Sequence, residues 1–228
     1  NTYLKDIFIL LLIMRDLFEI SKKYSIDKLL MHTYIDLYNF LFKEFDVKNM
    51  LEIGIGLGKH ENEMKNNINK DYIAGNSLLC WKEYFVNARI HGIDIVNTER
   101  FSTDDNIYTY ICDQSSKNQL KELVKKTGDF DLIIDDGSHQ YEHQKISLET
   151  LIFHVKQNGI YIIEDVYERH FERLYKLVDI DSTTKEYIIK NFEINSYVDE
   201  EIRTKYRTHI MENFKQYVVV FKHKNNQG

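Results

Sequence analysis

The sequence predicts an α/β fold: a Rossmann-like, open, mostly parallel seven-stranded sheet with helices on both faces. An antiparallel hairpin is expected at its C-terminal edge, and extra helices precede the sheet. Three observations predict it. Short apolar runs alternate with stretches of helical periodicity, the pattern of parallel strands joined by helical crossovers. Five runs finish in acidic residues, at Glu52/Gly54, Asp94, Asp113, Asp135-Asp136 and Glu164-Asp165. Ligands of open α/β sheets bind beyond the carboxyl ends of the strands, so these five ends converge on one crevice. An Asp that merely caps the next helix accounts for one or two such positions, not for five. Finally, 228 residues suffice for one full-sized core and hardly for two.

Taken in order, helical segments are expected at about 3–20 and 28–45, so that residues 1–46 pack on or cover the site. Residues 47–228 form the ligand-binding domain. Met50–Gly54 reads as a buried strand ending in glycine, and Ser77–Phe85 as a helix with Leu78, Trp81 and Phe85 on one face. Strands Arg89–Ile95 and Ile107–Asp113 follow, then helix Ser116–Lys126, strand Phe130–Asp135, helix Tyr141–Val155 and strand Ile160–Val166. In the tail, Thr208–Met211 and Gln216–Lys222 flank a polar link, Glu212–Lys215, and form the expected hairpin.

Composition narrows the function classes. Apolar residues at 43% and charged residues at 29% describe a soluble globular protein. Proline is absent, and the nine glycines compare with about 16 at average usage, so each glycine marks a place where only glycine fits. A net charge of −6 argues against a nucleic-acid binder while leaving room for a local basic pocket. Cys80 and Cys112 form no CxxC pair, which excludes a disulfide framework or zinc knuckle and suits a cytoplasmic protein with reduced thiols. The apolar run Ile7–Met14 is too short to span a membrane and lacks a signal-cleavage site. It reads as a docking helix, whose apolar face predicts a homodimer or larger assembly.

The motif Glu52-Ile53-Gly54-Ile55-Gly56-Leu57-Gly58 is a glycine turn after a strand, where backbone approaches a ligand closely. It lacks the GxGxxG spacing of dinucleotide folds, which disfavours NAD. Asp94 is placed to accept both ribose hydroxyls of an adenosine. Asp113-Gln114 either bonds the adenine edge or, at Asp113, serves only as a turn residue.

Leu51-Glu52-Ile53-Gly54-Ile55-Gly56, Ala74-Gly75-Asn76-Ser77-Leu78 with Trp81, Tyr84 and Phe85, and Gly92-Ile93-Asp94 together resemble class I S-adenosylmethionine methyltransferases. Asp135-Asp136-Gly137-Ser138-His139 and Ile163-Glu164-Asp165, in order at the right strands, make the sequence similar to one group among them. These are the metal-dependent sugar O-methyltransferases of the macrolide-sugar (mycinamicin/tylosin) and cephalosporin-hydroxylase-like group. The resemblance runs from about Asp27 to Val166, with Leu57–Ile73 as an insertion splitting the first motif and Asn76 where a small residue is common. It implies S-adenosylmethionine bound by Glu52, Gly54, Gly56, Gly75, Ser77, Asp94, Asp113, Gln114 and Asp135. Tyr34 joins them through the segment Lys28-x-x-x-His32-x-Tyr34, which resembles the family's closure over the cofactor. It also implies Mg²⁺, or another divalent cation, on Asp136, Glu164 and Asp165, with His139 as general base.

The residue types suit that chemistry. A sugar hydroxyl is a poor nucleophile while protonated, so a cation that acidifies it and a base that takes its proton are both required. Mg²⁺ prefers hard oxygen ligands, which Asp136, Glu164 and Asp165 supply. Neighbours on a strand face opposite sides, so Glu164 and Asp165 can share an ion only if the strand ends there. By the same alternation Asp135 contacts the cofactor or braces the next helix. A helix N-terminus beside His139 is expected to keep its ring neutral and able to accept a proton. His143, one turn on, and His170 are candidate substrate contacts.

The expected acceptor is a small-molecule sugar or sugar nucleotide, in glycan or polysaccharide biosynthesis. Two alternatives stand beside it: a non-sugar oxygen acceptor (catechol-like, phosphate or phosphoramidate), and a catalytically silent S-adenosylmethionine-binding partner subunit. A base beside three clustered carboxylates argues against the silent binder.

Overall fold

The computed structural model describes residues 16–30, 34–43, 45–56, 72–96 and 106–167, with short pieces at 61–62, 65–66, 70, 101, 169–170 and 173–174 and strands at 184–189 and 216–223. The Ile7–Met14 run, His32, most of the Leu57–Ile73 insertion and the Thr208–Met211 strand lie outside these residues.

The sheet is built from β1 (Asn49–Ile53), β2 (Arg89–Asp94), β3 (Ile107–Ile111), β4 (Phe130–Asp135), β5 (Val155–Tyr167), β6 (Thr184–Ile189) and β7 (Gln216–His223). They lie in the order β3-β2-β1-β4-β5-β7-β6. β1 to β5 are parallel, whereas β7 runs antiparallel to both β5 and β6. Strand order reverses between β1 and β4, and there the crossovers leave by opposite faces and open a crevice at the carboxyl ends. β1 and β4 bury every residue or nearly so, as parallel strands covered on both faces must.

Alternation along the strands sorts side chains into two apolar layers. Met50, Ile134 and Ile162 face one layer, Leu51, Ile133 and Ile163 the other. The first layer is roofed by α1 (Leu17–Tyr24), α2 (Asp27–Leu30), α3 (Tyr34–Phe42) and α4 (Asn76–Tyr84). Trp81 sits at its centre, edge-on to Tyr38 and Phe42 at 5.8 and 6.2 Å between ring centroids. The second layer is covered by α5 (Lys117–Thr127) and α6 (Tyr141–Leu151).

Local signals explain the helix ends. Asp16 accepts a hydrogen bond from the Phe18 amide at 2.9 Å and caps α1, which ends at Ser25 in the left-handed region (φ 51°). That turn, together with the separate one-turn α2, divides what the periodicity predicts as two N-terminal helices. Ser116 caps α5, and Gly128 follows its last residue. No described helix is long and apolar enough to cross a membrane.

Three element predictions need correction. The helix expected to reach Val155 stops at Leu151 in a 3₁₀ turn over Ile152–His154, and β5 begins at Val155 rather than Ile160. The strand beside β7 is Thr184–Ile189, so the antiparallel edge is closed by a distant segment rather than by the Glu212–Lys215 link. And β5 does not end at Asp165: its register against β7 shifts between Ile163 and Val166, and pairing resumes to Tyr167.

Candidate active site

The carboxyl ends of β1, β2, β4 and β5 open into a cleft of about 620 Å³, walled on one side by α2 and the start of α4. Each acidic residue reaches it, or misses it, for a reason written in the strand geometry.

Glu52 shares a face with Met50 and so points under the N-terminal helices. It is buried, its Oε2 accepts from the Trp81 indole at 3.1 Å, and its Oε1 lies 3.3 Å from the Lys28 ammonium. Oε1 has no hydrogen-bond partner of good geometry. Burial pushes this carboxyl up to about 7, against the opposing effects of Lys28 and Ser77. Beyond β1 the chain turns at Gly54 with φ 81°, where an added Cβ would come within 2.6 Å of Gly137 Cα. The absence of a side chain at Gly54 therefore lets the β1 and β4 turns touch.

Asp135 and Asp136 separate as alternation requires. Asp135 is fully buried against α6, where its carboxylate accepts from Gln114 Nε2 at 2.5 Å, Tyr161 hydroxyl at 3.3 Å and Ser147 hydroxyl. Burial raises it to about 6, opposed by those donors. Asp136 turns into the cleft. Its Oδ1 is 3.1 Å from His139 Nε2 and its Oδ2 is 2.5 Å from Lys28 Nζ. Burial alone would raise this carboxyl, but Lys28 and His139 hold it well below the usual range.

At β5 the register shift does what a strand end was expected to do. Asp165 takes a left-handed conformation (φ 52°), which breaks the alternation and turns it toward the cleft. It accepts from the Tyr34 hydroxyl at 2.5 Å and lies 3.7 Å from His139 Nε2. Ligand atoms of Asp136, His139 and Asp165 fall within 4.8 Å of one another. Glu164 stays on the inner face, hydrogen-bonded by the Tyr38 hydroxyl and by Lys28 Nζ at 3.1 Å, and does not line the cleft. Burial and the neighbouring Asp136 push its carboxyl well above the usual range.

The His139 ring contradicts the expectation of a neutral imidazole. α6 starts at Tyr141, so His139 precedes the helix in a left-handed conformation (φ 56°). Burial would lower its pKa, but the hydrogen bond and charge of Asp136, with Asp165 and Asp135, raise it to about 9. Nearby carboxylates outweigh the helix terminus because they are full charges at hydrogen-bond distance.

The other predicted residues divide. Gly56, Ser77, Asp94 and Asp113 line the cleft. Asp94 also accepts from the Ile55 amide at 3.2 Å, and Asp113 accepts from both the amide and the hydroxyl of Ser115, the turn reading. Gln114 lines the cleft, but its amide is engaged by Asp135 and, at 3.0 Å, by the Ser138 N–H. His143 lines the cleft and bonds Ser138 at 2.8 Å. Three residues expected at the cofactor lie elsewhere: Gly75 caps α4, Asp135 braces α6, and Tyr34 holds Asp165 from behind. His170 does not line the cleft; it packs on Tyr141 and on Tyr167, which does.

No protein-family model matches the chain. Over 159 residues, 68% of this chain, it is 33% identical to the demethylmacrocin O-methyltransferase of Streptomyces fradiae. Against the mycinamicin VI 2''-O-methyltransferase of Micromonospora griseorubida the identity is 31% over the same share. The MycE methyltransferase of the mycinamycin pathway, solved in complex with Mg and SAH, superposes with a TM-score of 0.64 at 26% identity over 93% of this chain and 55% of that one. The chain is a relative of the macrolide-sugar O-methyltransferases. It spans about two fifths of the length of the curated relatives it matches, 38% and 37% for the two named.

Sequence reasoning about this methyltransferase relative assigned no role to four side chains that contact the acidic residues: Lys28, Tyr38, Ser147 and Tyr161. Lys28 stands at the head of the Lys28-x-x-x-His32-x-Tyr34 segment and was the legible one. Tyr38, four residues after Tyr34, shares its helix face, a spacing that plain amphipathicity explains equally well. Ser147 carries no sequence signal apart from its position on α6.

Proposed function

We propose that this chain carries the methyl-transfer site of an S-adenosylmethionine-dependent, Mg²⁺-requiring O-methyltransferase acting on a sugar hydroxyl. The observation that carries this reading is the meeting of Asp136, His139 and Asp165 at the mouth of the cleft that begins at the Gly54 turn. The hard-oxygen donors suit Mg²⁺, and the Glu52 carboxylate, whose Oε1 has an ion-pair contact with Lys28 but no hydrogen bond, suits the ammonium of the cofactor's amino-acid end. Relatives that methylate antibiotic sugars support the acceptor class.

Asp136 and Asp165 would hold the cation, with Glu164 joining them once released from Lys28. Bound there, the cation would supply acidification of the acceptor hydroxyl and would offset the carboxylate charge that raises the pKa of His139. His139 then accepts the hydroxyl proton as the oxygen takes the methyl carbon in line, and the carbon–sulfur bond breaks to leave the neutral thioether. Glu52 and Asp94 orient the cofactor at its two ends. We read residues 1–46 as the cover of this site, since α1–α3 roof the layer from which Glu52 and Glu164 emerge. The buried, unpaired thiols Cys80 and Cys112 suit a cytoplasmic setting.

The test is methyl transfer from S-adenosylmethionine to a panel of glycosides, sugar nucleotides and phenols, with cofactor binding followed separately by calorimetry. Turnover on a sugar acceptor should vanish with chelator and fall roughly 10²–10⁴-fold in His139→Ala, while that variant still binds cofactor. Activity that survives chelation would overturn the metal requirement. Turnover on phenols alone would overturn the sugar.

A further inference from the structure

Lys28 lies buried among carboxylates. Its side chain is only 1% exposed, and its ammonium lies 2.5 Å from Asp136, 3.1 Å from Glu164 and 3.3 Å from Glu52. Asp27 adds a fourth, more distant negative charge. Two of these partners belong to the carboxylate set assigned to the divalent cation. Tyr34 and Tyr38, from the same N-terminal segment, donate to Asp165 and Glu164. Every carboxylate of the proposed metal set is thus engaged by a residue between positions 28 and 38.

We propose that Lys28 is an internal counter-cation of this cluster, holding Asp136 and Glu164 in place without metal and competing with a divalent ion for them. The inference rests on the metal-site reading above. Its physical basis is that a buried carboxylate needs a cationic partner or a proton, and the ammonium meets that need when no ion does. Each Glu164 oxygen already accepts from one donor, Tyr38 on one and Lys28 on the other, so an ion that ligates Glu164 and Asp136 together must settle beside the Lys28 ammonium. Lys28 is the partner that like charge repels, because a tethered ammonium beside a divalent ion is electrostatically unfavourable. Lys28 is a positioning residue on this view: it sets how tightly the ion binds and preserves the geometry of the empty site.

Mn²⁺ titration of the full chain, read by electron paramagnetic resonance at pH 7.5 without cofactor, tests this. Lys28→Met should bind Mn²⁺ at least about tenfold more tightly than the wild type, since removing a competitor of like charge strengthens binding. Equal or weaker binding overturns the inference while leaving the metal site standing. Wild-type protein that binds no Mn²⁺ overturns the metal reading and this inference with it. Where Lys28→Met does not fold, a crystal structure of the wild type with Mn²⁺ decides. The ammonium should lie beyond about 3.5 Å from Asp136 Oδ2 or Glu164 Oε2. An ion bound with both contacts intact refutes the competition.

Discussion

At the scale of single residues, adjacent aspartates have opposite environments. Asp136 faces two cationic side chains in the cleft, whereas Asp135 faces only donors: two hydroxyls, the Gln114 amide and, at 3.4 Å, the Gly137 N–H. Gln114 then holds the Ser138 N–H with its other end, so Asp135 positions the Gly137–His139 turn through one intermediary. Asp135→Asn removes the charge from an acceptor of four hydrogen bonds and turns the Ser147 and Tyr161 hydroxyls from donors into acceptors, and losing hydrogen bonds to a buried charged group costs about 1–3 kcal/mol. Urea unfolding should show a loss of that size. A variant as stable as the wild type would mean that the carboxylate is not the shared acceptor. The identities of both residues are plain in the sequence, and alternation tells them apart. That Asp135 serves the scaffold instead of the cofactor depends on Ser147, which reaches it from another element.

At the scale of elements, the site depends on turns more than on strands. The β1 turn at Gly54 and the β4 turn at Asp136-Gly137 lie against each other, and the β5 bulge brings Asp165 to the same place. Gly54→Ala adds a methyl group to a left-handed residue already in contact with backbone, which cannot move aside as a side chain can. A loss of about 1–3 kcal/mol is expected, with weaker S-adenosylhomocysteine binding in calorimetry. Unchanged stability and affinity would show that the two turns are not in contact. Glycine scarcity made this turn readable. The bulge was not readable, because adjacent acidic residues Glu164-Asp165 read as the end of a strand, and the irregularity arises only in pairing with β7, some fifty residues away.

At the scale of the whole molecule, the buried half of β2 carries a histidine with no part in the site. His91 is 3% exposed, stacked between Tyr108 and Tyr110, with Nε2 2.9 Å from Asn49 Oδ1. Burial, aided by Arg89, lowers its pKa from 6.5 to about 4. Below pH 6.5 the unfolded chain gains a proton that the folded chain refuses, so the contribution of His91 to stability falls as pH drops from 6.5 toward 4, opposite in sign to those of Glu52 and Asp135. The slope is at most about 1.4 kcal/mol per pH unit. Denaturation curves across this range should show the wild type losing stability relative to His91→Gln as pH falls, and an identical dependence in the variant would assign the effect elsewhere.

The sequence by itself determined the strand alternation, the glycine turn and the row of acidic strand ends, because each is a local pattern with a period of two or a single φ requirement. It thereby brought Asp136 and His139 to one crevice, which Asp165 joins through the β5 bulge and Glu164 does not. Only the tertiary structure decided which partners those groups meet. A carboxylate's charge and reach are the same in any sequence. Whether it faces an ammonium, a hydroxyl or a cleft depends on elements packed from far along the chain, as Lys28 is against Asp136. Carboxylates gathered from β4 and β5 likewise raise the pKa of His139, which its place before a helix would not predict.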